Sequence, residues 1–202
     1  MFLSRVSGRL LDGVFSAHIV YNSAEDTLNK YSVEGRIEMD ALEAIHKRRS
    51  VRDYTGDSIP QVDLEKIVDA GRMAATGYNR QPWDFIIITD PSMIDKLKVA
   101  AQWMEKAAAI IAVALDPTTK YWLEDGSAAV ENMLIASTAL GYGSCWLEGY
   151  TLPREEEFKE LLGVPDNRRL LTLVPIGVPV EWPTQTKKPL VEVLHWEKFG
   201  NR

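Results

Sequence analysis

The stretch Ala107–Leu115, with the sequence AAAIIAVAL, is the longest unbroken apolar run in the chain. A membrane-spanning helix needs about 20 such residues, and this run has nine. A continuous apolar run of this length is typical of a strand that is buried on both faces. The run therefore predicts a buried strand over residues 109–115 and not a membrane span.

Further elements are predicted on both sides of this strand. Apolar runs at Phe85–Thr89 and Leu170–Val178 have strand length, and Ser144–Leu147 is a shorter candidate strand. Glu124–Leu140 is apolar nearly all round, which predicts a long helix in the centre of the fold. Strands and helices mix without a regular βαβ alternation. This order predicts one α+β domain, a three-layer α/β/α sandwich around a mixed or antiparallel central sheet.

Capping residues predict where two shorter helices begin. Asp40 and Glu43 form a capping box, with Asp in place of Ser or Thr, and predict a helix that ends near Arg48. Asp90 caps another helix, which is predicted to reach about Gln102. These helices flank the first predicted strand in the sequence.

Composition and charge exclude several classes of protein. Of 202 residues, 46% are hydrophobic and 26% are charged, which is the balance of a globular chain and not of a disordered one. The net charge of −6 disfavours general nucleic-acid binding, which needs a basic surface. One cysteine excludes an internal disulfide, and the three histidines lie too far apart for metal-ligand spacing. We expect a cytoplasmic protein that binds no metal, no nucleic acid and no membrane.

The first 38 residues differ from the rest, since all six Trp and all ten Pro follow Met39. We interpret residues 39–202 as the folded domain and residues 1–38 as an N-terminal extension, either a flexible arm or no part of the native protein. The extension has three interpretations: an arm that grips a partner subunit, a targeting peptide, or a segment upstream of a true start at Met39. A targeting peptide is disfavoured because no long apolar region or clear cleavage site is present. We favour the third hypothesis, because Gly35–Glu38 suits a translated ribosome-binding site, and mass spectrometry of the native N-terminus tests it.

The segment His46–Arg52 (HKRRSVR) concentrates positive charge in an acidic chain. Four of its seven residues are Lys or Arg, and guanidinium groups bind phosphate and other oxyanions through paired hydrogen bonds. Cations at the end of a helix also interact favourably with its dipole, by about 0.3–1 kcal/mol. The segment alone is therefore explained either by an anion site or by helix capping.

Two further segments carry groups that can contact a ligand. In Thr76–Trp83, the amides of Asn79 and Gln81 can read the edge of a heterocycle, although a plain turn is the favoured interpretation of this segment alone. In Gly141–Gly149, the Gly-x-Gly ends a helix, whereas a dinucleotide fingerprint must open one. Cys145 is expected to be a small buried residue and not a nucleophile.

Taken in order, four segments resemble the FMN-dependent nitroreductase family. They are Ala44–Tyr54, Asn79–Phe85, Gly141–Gly149 and the tail from Lys187 to Trp196. Each match is loose, but the order and spacing together are specific, and the resemblance runs from Met39 to about Phe199. The resemblance implies an α+β homodimer with one FMN at each of two sites between the subunits.

The resemblance also implies which residues hold the phosphate end of FMN. The phosphate, the ribityl chain and the N1/O2 side of the ring would be held by Arg48, Arg49, Ser50 and Arg52. The phosphate would also be reached from the tail, by Lys187 and Lys188.

For the isoalloxazine ring, the resemblance implies contacts from three places. Asn79, with help from Gln81, would contact the ring edge, and Thr76 would come from the partner subunit. The ring would be lined by Leu147, Glu148 and Gly149. The N–H of Gly149 would lie near flavin N5.

The implied reaction is ping-pong: NADH or NADPH delivers hydride to flavin N5 and leaves, and a small-molecule acceptor such as a nitroaromatic or quinone is then reduced. Because the cofactor carries the redox chemistry, no catalytic side chain is predicted. An alternative from another class is an FMN storage or sensor protein without significant turnover. The short linkers after the first strand and after Tyr150 predict a compact member of the family and leave the acceptor undefined.

Overall fold

The computed structural model describes residues 39–202, so the predicted N-terminal extension lies outside the described residues. Within this part of the chain the sheet has four strands in the order β1-β2-β4-β3, and neighbouring strands are antiparallel. The strands are β1 Trp83–Ile88, β2 Ala109–Leu115, β3 Gly143–Ser144 and β4 Arg169–Gly177. The central sheet is thus antiparallel, which is one of the two sheet types predicted from the sequence.

Strand β2 lies inside the sheet, and all seven of its residues are buried. Alternate side chains enter different cores, because successive side chains of a strand point to opposite faces. Ile111 and Val113 belong to the core on one face, whereas Ile110 and Ala112 belong to the core on the other. A strand with apolar neighbours on both faces needs apolar residues at every position, which explains the unbroken run.

Helices cover both faces of the sheet. Along the chain they are α1 Ala41–Lys47, α2 Gln61–Arg72, α3 Pro91–Leu97, α4 Trp122–Ala139, α5 Glu148–Thr151, α6 Glu155–Leu162 and α7 Leu190–Val193. Helices α2 and α4 contribute Ile67 and Met133 to the core that contains Ile111. Helices α3 and α6 contribute Leu97 and Phe158 to the opposite core. The predicted three-layer α/β/α arrangement is therefore confirmed.

Two elements end earlier than predicted. The helix capped by Asp90 ends at Leu97, because Leu97 is buried and the chain turns back towards β2 through a 3-10 turn at Gln102–Lys106. The strand predicted to reach Leu147 is confined to β3, because the chain leaves the sheet there to begin α5 at Glu148.

The carboxylate of Glu155 joins helix α6 to strand β4. It accepts hydrogen bonds from Arg169 Nε (2.7 Å), Arg169 Nη2 (2.8 Å) and the Leu170 N–H (2.9 Å). Burial raises the pKa of this carboxyl, but the hydrogen bonds from Arg169 and Leu170 outweigh burial and hold the pKa below its ordinary value. The ionised carboxylate therefore stabilises the fold at neutral pH, and this contribution is lost as the pH falls through the lowered pKa.

We expect Glu155→Gln to lower the free energy of unfolding at pH 7 by about 1.5–3 kcal/mol, because hydrogen bonds to a charged group are lost. At about pH 3 the stabilities of the variant and the wild type should approach each other, because the wild-type carboxyl becomes protonated. Urea unfolding at both pH values measures the effect. Glu157→Gln is the matched control, because Glu157 is exposed and pairs only with Arg154 among the described residues. An equal loss in the control would contradict the assignment.

Candidate functional site

The segment that follows α1 runs along the edge of the sheet beside β3. Ser50 forms a parallel bridge with Ser144, and the Val51 N–H donates to the Ser144 carbonyl at 3.0 Å. Further along, Tyr54 forms an antiparallel bridge with Pro179, just beyond β4. The cationic segment found in the sequence is therefore fixed to the sheet and is not a free helix end.

Tyr54 anchors this segment in the interior. Its side chain is fully buried, and its hydroxyl lies 2.9 Å from the Val51 carbonyl oxygen and 3.2 Å from that of Pro175. Burial, together with the nearby Cys145, raises the pKa of Tyr54 far above its ordinary value, so the hydroxyl remains a donor. The ring packs on Gly177, where an added Cβ would lie 2.6 Å from Tyr54 Cδ1.

Arg49 carries a positive charge that no carboxylate within residues 39–202 neutralises. Its Nε donates to the carbonyl of Gln185 at 2.9 Å, and its Nη1 donates to the carbonyls of His46 (2.8 Å) and Arg48 (2.7 Å). The Nη2 group has no acceptor among residues 39–202. The bond to Gln185 also holds the C-terminal tail beside the end of α1. Lys187 follows two residues later in the exposed tail.

Arg48 has a different environment from Arg49. Its Nε lies 3.2 Å from Glu131 Oε1 on helix α4, and the Arg48 side chain is mostly covered. The sequence gives no sign of this pair, because Glu131 lies 83 positions further along the chain. Of the two adjacent arginines, Arg48 is thus paired with a carboxylate, whereas Arg49 is held only by carbonyl oxygens among residues 39–202.

A cavity of about 450 Å³ opens beside this segment. It is lined by Ser50, Arg52 and the tail residues Trp182 and Gln185, among others. Cys145 lies near the lining residues Ser50 and Arg52 and is buried, as expected from its apolar neighbours. Burial raises the pKa of the Cys145 thiol, against the lowering effect of Arg52 and Ser50 beside it. The raised pKa keeps the thiol protonated at pH 7, and a protonated thiol is a poor nucleophile.

Two polar atoms near this edge of the sheet have no hydrogen-bond partner in the part of the chain that the structure describes. They are Ser144 Oγ and Trp146 Nε1, and both are buried. Buried polar groups are normally satisfied, so each indicates a place where a bound group or water is expected. Sequence reasoning missed both residues, because a Ser and a Trp in an apolar segment carry no distinguishing signal.

The segment Leu147–Gly149 is held on strand β4 by two buried threonines. The Leu147 N–H donates to Thr172 Oγ1 at 3.2 Å, and the Thr151 hydroxyl donates to the Leu147 carbonyl. Thr151 Oγ1 also accepts from the Leu173 N–H at 3.2 Å. Next to this fixed point, Gly149 is exposed and has open space where a Cβ would be. The structure thus presents a rigid backbone with an accessible surface at the predicted ring-lining residues.

The loop from Thr76 to Gln81 has an unusual backbone. Tyr78, Asn79 and Gln81 all have positive φ (55°, 55° and 49°), a conformation that is uncommon outside glycine. Thr76 Oγ1 accepts from the Gln81 N–H at 3.4 Å, and Gln81 Nε2 donates to the Asn79 carbonyl at 3.4 Å. The loop is therefore strained and internally bonded, which a plain turn does not require.

Gly77 is needed in this loop for a reason that the sequence does not reveal. Its φ is not positive, so a left-handed backbone does not explain the glycine, but an added Cβ would clash with Tyr121 Cδ2. The Gly77 N–H donates to Asp125 Oδ1 at 2.9 Å, which ties the loop to the start of α4. Close approach to Tyr121 is therefore the constraint at this position.

The structure brings some of the predicted residues together and leaves others apart. Arg49, Ser50 and Arg52 share one edge of the sheet with the tail and with the Leu147–Gly149 segment. The Thr76–Gln81 loop is anchored at Asp125, whereas Arg48 is paired with Glu131. Asp125 lies six residues before Glu131, which is about 9 Å along helix α4. Lys187 and Lys188 are exposed beyond the bonded part of the tail.

The fold and this edge of the sheet define a three-layer α+β protein with a cluster of arginines beside β3. The sequence profile of the nitroreductase family matches residues 45–108 and 95–178, and the chain belongs to this family of oxidoreductases. The resemblance seen in the sequence, the fold class and the prediction of an oxidoreductase enzyme are thereby confirmed.

The chain is similar to named relatives over most of their length. It is 42% identical to a "Putative NADH dehydrogenase/NAD(P)H nitroreductase" of Archaeoglobus fulgidus over 69% of this chain and 86% of the relative. A solved structure under the same name from Parabacteroides distasonis has a TM-score of 0.73 at 31% identity, over 79% of this chain and 98% of that chain. A nitroreductase with bound FMN from Bacteroides fragilis has a TM-score of 0.64 at 28% identity, over 75% and 95%. Among residues 39–202, no helix has the length and apolar character to cross a membrane.

Proposed function

We propose that residues 39–202 form an FMN-dependent NAD(P)H oxidoreductase that reduces a small-molecule acceptor such as a nitroaromatic or a quinone. The observation that carries the proposal is the Arg49 guanidinium, which in the described part of the chain is held by three carbonyl oxygens and by no carboxylate. Such a group is well suited to bind a phosphate. The name of the Bacteroides fragilis relative with bound FMN supports FMN as the group that carries this phosphate.

In this proposal, cations from two segments converge on the phosphate. Arg49 offers its Nη2 donors, and Ser50 offers a hydroxyl next to it. Lys187 and Lys188 lie two and three residues beyond Gln185, whose carbonyl is bonded to Arg49, so the tail is held where both can approach. Arg48 contributes its charge at longer range, because its Nε is engaged by Glu131.

In this proposal, the isoalloxazine ring lies at the β3 edge of the sheet, next to the cavity lined by Ser50 and Arg52. Arg52 would place positive charge at the N1/O2 side of the ring, and the Leu147–Gly149 segment, in which Gly149 is exposed, would line the ring. The Gly149 N–H belongs to the first turn of α5, where N–H groups have no partner within the helix, so it is available to flavin N5. When bound, FMN supplies the redox chemistry, taking hydride from NADH or NADPH and passing electrons to the acceptor.

We further propose a homodimer in which the second subunit completes each site with Thr76, Asn79 and Gln81. Within one chain this loop is anchored at Asp125, whereas Arg49 is bonded to Gln185 in the tail. In the proposed dimer, the loop of the second subunit would reach the site instead. Large apolar side chains at the C-terminus are exposed, with Phe199 at 93% and Trp196 at 65%. Burial of such a surface against a second copy would remove it from water. Analytical ultracentrifugation tests this part, and a monomer with full FMN affinity would contradict it.

The proposed activity is tested by spectroscopy and then by turnover. The purified protein should show the visible absorbance of bound FMN, or gain it when FMN is added. Stopped-flow mixing with NADH and with NADPH, followed by a nitroaromatic or quinone, should give faster oxidation of the nucleotide than free FMN gives. Tight FMN binding without acceleration would favour the storage or sensor alternative. Failure to bind FMN would contradict both.

A further inference from the structure

A second cavity, of about 400 Å³, lies between the Gly77–Asn79 turn and the segment that leads into α4. Its lining includes Tyr78, Arg80, Lys120 and Tyr121. The volume is within the range of small-molecule sites. None of these residues lines the cavity beside Ser50, so the two cavities are separate.

Two cations at this cavity have no acidic partner in the part of the chain that the structure describes. Neither Arg80 nor Lys120 forms an ion pair with any residue from 39 to 202, although the chain has a net charge of −6. Lys120 Nζ lies 5.0 Å from the centroid of the Tyr121 ring instead. Unpaired Arg and Lys groups at the mouth of a cavity are typical of phosphate recognition.

Two tyrosine rings give the cavity an aromatic surface. The rings of Tyr78 and Tyr121 lie 6.5 Å apart between centroids, with 30° between their planes. The Tyr78 side chain is 85% exposed although its backbone has a φ of 55°, which is uncommon for a bulky residue. Strain that displays an aromatic ring to solvent is typical of a functional position, and a planar base can stack on such rings.

Asp125 provides a hydrogen-bond acceptor at the same cavity. Its side chain is 5% exposed, and Oδ1 is engaged by the Gly77 N–H. Its Oδ2 is buried and has no partner within the described part of the chain. Because buried carboxylate oxygens are normally satisfied, an N–H donor is missing here.

We propose that this cavity binds the adenine nucleotide half of NADH or NADPH, with the base on the Tyr78 and Tyr121 rings and the phosphates at Arg80 and Lys120. The exocyclic amine of adenine supplies the donor that Asp125 lacks. An aromatic acid that serves as electron acceptor would fit the rings and the cations, but it offers Asp125 no N–H. The inference rests on the proposed function, because it names where the proposed reductant binds.

The test uses ADP as the probe, because ADP carries the base and phosphates but no nicotinamide. Isothermal titration of the full-length protein loaded with FMN should show ADP binding, and ADP should compete with NADH in turnover. The double variant Arg80→Gln/Lys120→Gln should weaken ADP binding on the order of tenfold, with FMN affinity unchanged. Tyr78→Ala should weaken ADP binding several-fold through lost stacking. The control is Lys96→Gln, which removes an exposed cation from α3.

Three results would overturn the inference: no ADP binding, equal ADP affinity in the double variant, or an equal loss in the control. If the double variant instead raises the KM of a nitrobenzoate acceptor and leaves ADP affinity unchanged, the cavity serves the acceptor and the nucleotide assignment is wrong. Loss of FMN binding in the wild type is a different result. It would contradict the proposed function. Titration of ADP into the protein without flavin would still show whether this cavity binds the nucleotide.

Discussion

We expect Arg49→Gln to raise the Kd for FMN by about 10- to 100-fold, which corresponds to the loss of a hydrogen bond to a charged group. Two effects act together. The positive charge next to the proposed phosphate position is removed, and the Nε–H bond to the Gln185 carbonyl, which holds the tail, is lost. Fluorescence titration of FMN against the apoprotein measures the change.

The two effects are separated by a second substitution and by salt. Arg49→Lys keeps the charge but cannot donate to Gln185, His46 and Arg48 at once, so it should lie between the wild type and Arg49→Gln. Added salt should weaken FMN binding more in the wild type than in Arg49→Gln, because screening acts on the charge that the variant lacks. Arg154→Gln is the matched control, because it removes an exposed arginine paired with Glu157. Unchanged FMN affinity in Arg49→Gln would refute the phosphate assignment.

The strand and helix order could be predicted from sequence because burial imposes a pattern on the residues. The run from 109 to 115 must be apolar at every position, since β2 meets a core on each face. The Asp40 cap was predictable for a local reason: its carboxylate bonds to N–H groups two and three residues away. Elements that depend on distant contacts were placed less well, as the early end of the helix at Leu97 shows.

The types of side chain in the candidate site could be predicted from the sequence, but the partner of each side chain could not. Arg48 and Arg49 are adjacent and look alike in the sequence, yet Glu131 engages one and carbonyl oxygens hold the other. Gly77 lies in a segment for which the sequence favours a plain turn, but the ring of Tyr121, 44 positions away, is what excludes a side chain there. Such contacts join positions far apart in the chain, and no local pattern records them.

Gly177→Ala is expected to lower the free energy of unfolding by about 3 kcal/mol, the upper range for an added methyl group in a packed core. The new Cβ would lie 2.6 Å from Tyr54 Cδ1 and 2.7 Å from Tyr54 Cγ. Tyr54 cannot move aside easily, because it is fully buried and its hydroxyl is bonded to the Val51 and Pro175 carbonyls. Urea unfolding measures the loss, and Gly149→Ala, which adds a methyl group in open space, should cost almost nothing.

A double-mutant cycle shows whether Tyr54 is the cause. In a Tyr54→Ala background both Cγ and Cδ1 of Tyr54 are absent, so Gly177→Ala should cost much less than in the wild type; equal costs would contradict the contact. The same contact links stability to the site, because Tyr54 fixes the segment that carries Ser50 and Arg52. Gly177→Ala should therefore also weaken FMN binding in the fraction that remains folded. Glu155→Gln also destabilises the fold but does not touch this segment, so it should leave FMN affinity unchanged. A fold-wide loss of stability would affect FMN binding equally in both variants, whereas a local displacement of Tyr54 affects it only in Gly177→Ala.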